Sequence, residues 1–214
     1  MNVTRILTAF GFVGILSACG AAPDVTSRAA PFEATQPNLA FQQEGTVQQM
    51  AAAPTAIPPQ AMKVASINVR VPQTLTVTES NGYYPRADIV WRGDDLGDRR
   101  QQVQAIFENA FAEGTRGLNG DTPVIIDVQV KRFHSLTERA RERVGGVHNM
   151  EFFLTVYDAN TGAVILPARL VEANLPALGG VAAIEAVQRG QTQKVRVSTY
   201  LSMVIQDELR KRPI

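Results

Sequence analysis

Three segments decide the fold of this chain: VIIDVQV (residues 124–130), FFLTV (152–156) and VILPARL (164–170). In the first, Val124, Ile126, Val128 and Val130 alternate with polar or outward residues. Phe152, Leu154 and Val156 repeat the pattern, and Val164, Leu166, Ala168 and Leu170 continue it. A period of two is the mark of a strand with one buried face. Between the last two strands, Asp158-Ala159-Asn160-Thr161-Gly162 reads as a hairpin loop, with Gly162 suited to the left-handed position. All three apolar sets fall on even numbers, so antiparallel pairing with an even register sum places them together on one sheet face. That face is the expected core.

Working outward, Ile67, Val69, Val71, Leu75 and Val77 alternate along an expected first strand. Pro72 lacks a ladder donor and marks an edge position or a bend. Asn81-Gly82 and Pro85 break the chain, and Ile89-Val90-Trp91 adds a short apolar extension. Asp98 suits a helix N-cap, with Gln101 at the third helical position. Val103, Ile106, Phe107, Ala110 and Phe111 trace the buried stripe of that helix, which Gly114 is expected to stop. Downstream, an Ala- and Gly-rich connector runs from Asn174 to Gly190, with a helical turn expected over residues 182–187. A last helix starts near Thr192, buries Val197, Leu201, Val204 and Ile205, and closes on Arg210, Lys211 and Arg212, where positive charge suits the helix dipole. The order β-α-β-β-β-α predicts an α+β two-layer sandwich over residues 63–214: an antiparallel four-stranded sheet with two helices on one face.

The N-terminal part has a different character. A charged start ending at Arg5 precedes an apolar run, ILTAFGFVGIL (residues 6–16). Eleven residues make about 16 Å of helix, half of the hydrocarbon core, so the run is read as part of a secretory signal rather than a membrane span. It leads into Leu16-Ser17-Ala18-Cys19-Gly20, which contains the only cysteine of the 214 residues. This sequence resembles the lipobox of bacterial lipoproteins. The resemblance implies a signal peptide over residues 1–18 and recognition of Leu16, Ser17, Ala18 and Gly20 by the signal peptidase. It also implies a Cys19 thiol carrying diacylglycerol, with an acyl chain such as palmitate on the new N-terminus. Gly20 in place of aspartate favours the outer over the inner membrane. Residues 19–62 then hold six of the twelve prolines and only four charges, Asp24, Arg28, Glu33 and Glu44. Such a segment buries too little surface to offset its ordering entropy and reads as a tether reaching about 35–40 Å. Docking of Phe41 to Met50 as a short helix is the alternative.

Composition narrows the function classes. A net charge of +1 argues against a general nucleic-acid binder, and a single cysteine excludes a thiolate zinc site or an internal disulfide framework. His134 and His148, the only histidines, would face each other if the first hairpin is centred near Arg141, but two imidazoles are too few for a metal. No cofactor is expected. Motifs for a nucleophile elbow, a phosphate-binding loop or a zinc protease are missing from the sequence. Asp94 and Asp95 beside Arg92 are the one pair of acids that suggests an enzyme. The plainer account makes them a polar loop over Trp91.

The odd-numbered sheet face admits two readings. With the second hairpin centred on Asn160, Glu151 lies opposite Arg169, and Lys131–Glu151–Arg169 forms an ordinary solvated ladder. Alternatively Phe153, Tyr157, Ile165 and Val171 form an apolar strip for a lipid or protein partner. The segment KRFHSLTERARER (residues 131–143) reads as a solvated hairpin tip, or as a basic patch whose Arg139, Arg141 and Arg143 meet lipid phosphates.

Several stretches together resemble a family of small alphaproteobacterial envelope lipoproteins without assigned chemistry. They are WRGD (91–94) with Gly97-Asp98-Arg99, VGGVHN (144–149), DANTGA (158–163) and RGQTQKV (189–195). The lipobox, tether and element order are similar to the auxiliary lipoproteins of ABC-type lipid transporters. The resemblance implies a non-enzymatic module facing the periplasm, held to the membrane by its lipid. It would serve an envelope partner in lipid transport or outer-membrane assembly, or bind lipid itself.

Overall fold

The computed structural model describes residues 57–211, so the signal segment, Cys19 and its neighbours and most of the expected tether lie outside the described residues. A single 3-10 turn, Pro59–Ala61, leads into β1 (Met62–Arg70). There follow β2 (Ile89–Val90), α1 (Arg99–Thr115), β3 (Thr122–His134), α2 (Glu138–Arg143), β4 (Gly146–Asp158), β5 (Val164–Ala177), α3 (Gly180–Gln188) and α4 (Gln193–Arg210). The sheet has five strands in the order β1-β3-β4-β5, with β2 also on β3. Among the described residues no helix is long and apolar enough to cross a membrane.

The expected α+β class is present, but the sheet is not wholly antiparallel. β1 pairs with β3 in parallel, from Met62 opposite Thr122 to Arg70 opposite Gln129. β2 continues along the same edge, pairing Ile89 with Phe133 and Val90 with His134. A parallel neighbour needs a crossover, and α1 supplies it. The expected long first strand ends at Arg70, because a turn closes from Pro72 to the Leu75 amide and only Val77 bridges back, to Ile89. Met62, assigned to the tether from sequence, is fully buried in the core.

Local signals set the helices. Asp98 accepts from the Arg100 and Gln101 amides, and Thr192 accepts from the Val195 amide, so both expected N-caps form. The α1 stripe of Val103, Ile106, Phe107, Ala110 and Phe111 is buried, with the Phe107 and Phe111 rings edge-on to each other and to Phe152. Gly114 does not stop α1. A Cβ there would lie 2.3 Å from the Ser202 carbonyl oxygen, so this glycine lets α1 and α4 touch backbone to side. ERARER, expected as a hairpin tip, forms α2, capped by Thr137, and the helical turn expected over residues 182–187 is present as the longer α3.

The parity expectation holds for β4, whose Met150, Phe152, Leu154 and Val156 are buried, but fails in β5. β5 faces β4 through two irregularities, between Leu154 and Val156 and between Val156 and Tyr157. Its inward residues therefore switch from Leu166 to Val171 and Ala173, while Val164, Ala168 and Leu170 turn outward. Pro167 lies in the irregular stretch, where its missing donor costs no ladder bond. A bulge between Val130 and Arg132 does the same in β3, placing Phe133 in the core.

Candidate functional site

α1 and α4 cover one side of the sheet, and among the described residues no helix covers the other. The residues expected there divide. Phe153 points outward, 40% exposed, beside Leu170 on β5, also 40% exposed. Half-buried Tyr157 stands between Ile125 and Val164 on its neighbouring strands. Ile165 and Val171, by contrast, are only 3% and 5% exposed and belong to the core, because the β5 bulges reverse their side. The registers differ from expectation for the same reason: Glu151 faces Arg132 and Glu172, and His134 faces Asn149. Lys131 still reaches Glu151 at 2.8 Å, but Arg169 turns under the sheet to Glu208 at 2.9 Å. Arg70 and Asp127 add a two-bonded ion pair at 2.8 and 2.9 Å to the open face.

At the end of the sheet where β3 finishes, the WRGD loop forms a tight polar network. Trp91 is fully buried and donates its indole N–H to Asp94 Oδ2 at 2.8 Å. A Cβ at Gly93 would meet the Trp91 ring at 2.3 Å, so the loop turns directly over the indole. Asp94 also accepts from Lys194 Nζ at 2.6 Å, one hundred residues away. Buried Arg99 grips Glu79 with two bonds, at 2.7 and 3.0 Å, and donates to the Asp94 and Asp95 carbonyls. Arg92 bonds both oxygens of Glu138 at 2.9 Å and also pairs with Glu79. An open cleft of about 670 Å³ lies over this cluster, lined by Arg92, Asp94, Asp95, Leu96, Glu138 and Arg141.

The partners of Asp94 and Glu79 set the direction of their pKa shifts. Burial alone would raise the Asp94 pKa, but the Lys194 and Trp91 bonds outweigh it and hold the carboxyl below its usual range. The Arg99 bond lowers Glu79 likewise. A general acid or base working near neutrality needs the opposite shift. Glu79 and Asp94 are anions that pin loops together. The backbone carbonyl of Asp95 accepts from Arg99 and Gln102.

A serine–histidine pair lies close by and was not foreseen. Ser135 Oγ is 2.7 Å from His148 Nδ1, and both residues are buried. Burial, and then the nearby Arg196 charge, push the imidazole down to about 4. Such a histidine stays neutral near neutrality, and Arg196 disfavours the imidazolium that a catalytic base must become. Sequence held no direct signal for the contact, since the bulge at Lys131 decides which residue meets His148. Among the described residues no three metal-ligating side chains gather.

Three of the four motif stretches therefore converge on one end of the molecule: WRGD through Asp94, RGQTQKV through Lys194, and VGGVHN through His148. DANTGA sits at the opposite end, where Asp158 accepts from the Asn160 and Thr161 amides to close the β4–β5 hairpin. Residues 62–214 match DUF6778, a family of unknown function. The chain belongs to this family. The DUF6778 match begins at the first residue of β1 and takes in every strand and helix described above.

No curated protein matches the DUF6778 chain. Several solved structures are similar to it. A provisionally assigned lipoprotein from Caulobacter crescentus shares 13% identity at a TM-score of 0.33, over 50% of this chain and 80% of its own. A Xanthomonas campestris protein of the DUF330 family shares 11% at 0.44, over 73% and 87%. The PelC dodecamer from Paraburkholderia phytofirmans shares 12% at 0.35, over 72% and 91%.

Proposed function

We propose that this chain is an envelope lipoprotein, anchored through Cys19 and facing the periplasm, with the outer membrane its favoured site. Its folded domain serves as a non-catalytic module that docks a protein component of lipid transport or outer-membrane assembly. The observation that carries the docking reading is the helix-free sheet face, where the Phe153–Leu170 pair is exposed on β4 and β5 and the Arg70–Asp127 and Lys131–Glu151 ion pairs flank it on the β3 side. An apolar centre with a charged rim is the anatomy of a protein interface. The non-catalytic reading is supported by Asp94 and Glu79, whose carboxylates already answer Lys194, the Trp91 indole N–H and Arg99.

The test is photocrosslinking in intact cells, using the full chain with a photoreactive residue at Phe153 and, separately, at exposed Asp207 on α4. An adduct of defined mass with one envelope protein from position 153 and none from 207 is expected. Equal labelling from both positions, or none from 153, refutes the docking face. The anchor is tested apart from it: cells fed an alkyne-labelled palmitate should label the wild-type chain and not Cys19→Ser, and a wild-type chain that takes up no label refutes lipidation as the anchor.

A further inference from the structure

α2 and α3 pack together at the end of the sheet where β3 and β5 finish and β4 begins. The chain corners before them touch so closely that a Cβ on Gly179 would lie 2.0 Å from the Gly145 nitrogen. α3 turns Ala183 and Ala186 inward. Val181, Ile184 and Val187, spaced by three, remain 71%, 55% and 41% exposed. An ordinary surface helix places polar residues on that side. Val144, which ends α2, extends the aliphatic surface at 68% exposed.

Cations surround this stripe. Glu138 is taken by Arg92, and Glu185 stands near Arg189, so the acid left over on the two helices is Glu142. Arg139, Arg141 and Arg143 face no carboxylate within ion-pair distance among the described residues, which leaves a positive surplus. Two tyrosines complete the surface: Tyr84 is 91% exposed, and Tyr83 lies under the Arg139 guanidinium, 5.8 Å from ring centroid to cation. Their loop is fixed to α2, because the Arg139 amide donates to Asn81 Oδ1 and Thr137 Oγ1 donates to the Gly82 carbonyl, both at 2.9 Å.

We propose that this end of the domain is a membrane-contacting surface for an anionic phospholipid bilayer. Val144, Val181 and Ile184 enter the boundary between headgroups and acyl chains, and the exposed Arg139 and Arg143, one turn apart on α2, meet the phosphates. Aliphatic residues on one side of a helix, flanked by arginine and tyrosine, are what an interfacial helix needs to lie in a bilayer surface. The stripe is one helix wide and projects outward, which suits a deformable lipid surface. This contact is separate from the Phe153 face and does not depend on acylation of Cys19.

The experiment uses the full chain with Cys19→Ser and one introduced cysteine, Ile184→Cys, carrying an environment-sensitive NBD fluorophore. A second chain carries the label at Gln129→Cys on the open sheet face. Both are mixed with vesicles of phosphatidylglycerol and phosphatidylcholine, or of phosphatidylcholine alone. The apolar N-terminal segment is common to both chains, so the label's position reports which surface meets lipid. A blue shift at 184 but not at 129, dependent on phosphatidylglycerol and reversed by salt, is expected. Replacing Arg139 and Arg143 by Gln should weaken the response by roughly fivefold per cation, about 25-fold together. Val144→Gln with Val181→Gln, both at exposed sites, should weaken it without touching the core. No shift at 184, an equal shift at 129, or a shift that grows with protein concentration without lipid (a second copy covering the stripe) each overturns the proposal. None of these outcomes bears on whether Cys19 anchors the chain.

Discussion

His148 makes the folded domain sensitive to mild acid, with a magnitude that follows from its surroundings. Burial first, and the Arg196 charge second, lower its pKa from 6.5 to about 4. The unfolded chain takes up a proton near 6.5, whereas the folded chain does so only near 4, so the unfolded state holds more protons throughout that interval. The contribution is therefore fully present above the unfolded pKa and is lost as pH falls through the window toward the folded one. Between about pH 7 and about pH 5 the loss comes to about 2 kcal/mol. Glu79 and Asp94, with lowered pKa values, lose their contributions mainly at lower pH, whereas half-buried His134, lowered by burial and then by the Arg132 charge, adds a loss of the same sign to that of His148. Trp91 is the only tryptophan and is fully buried, so its emission reports urea unfolding directly. The urea midpoint should fall between the two pH values with an unchanged slope. In His148→Gln, which keeps a donor and acceptor near Ser135 without titrating, most of that fall should vanish. A wild-type midpoint that does not move, or a variant that keeps the full drop, would refute the reasoning.

Three further predictions concern the packing and the site. Gly114→Ala forces a methyl against the Ser202 carbonyl and should cost about 1–3 kcal/mol in urea unfolding, whereas Gly117→Ala, with nothing within 4 Å, should be close to neutral. Asp94→Ala leaves the buried Trp91 N–H without an acceptor and should cost about 1–3 kcal/mol with a changed near-UV CD band, while Lys194→Ala, at a half-exposed partner, should cost less than about 1 kcal/mol. Phe153→Ser combined with Leu170→Ser should leave stability within about 1 kcal/mol by thermal melting, because both lie on the open face, yet abolish partner recovery from cells.

What could be read from sequence was local. Asp98 and Thr192 cap their helices through amides two or three residues away, and the α1 stripe follows from helical spacing alone. What escaped depends on partners distant in the chain. Nothing near Ile67 states that β1 runs parallel to β3, because the pairing is set by how α1 crosses over. One bulge in β3 brought Phe133 into the core, and two irregularities in the β4–β5 pairing moved Ile165 and Val171 there from an expected surface. Pro167 was the local hint. α2 has no apolar period; it rests on the Thr137 cap and a single buried alanine, Ala140. In the polar network, Arg99 and Glu79 lie twenty residues apart and Asp94 and Lys194 one hundred, so types and motifs were visible but their meeting was not.

The placement of β1 also has a mechanical consequence. The chain enters the sheet at Met62, level with the start of β3, whereas α2 and α3 lie beyond the other end of that strand. A pull transmitted from the N-terminal side, with the domain held at its α2–α3 end, acts along β1. Ladder bonds lie across that direction, so the eight register pairs from Met62 to Arg70 share the load in shear and do not peel apart one at a time. Loading the last helix would act instead on side-chain packing. Tension along this line therefore meets the sheet in its most resistant geometry.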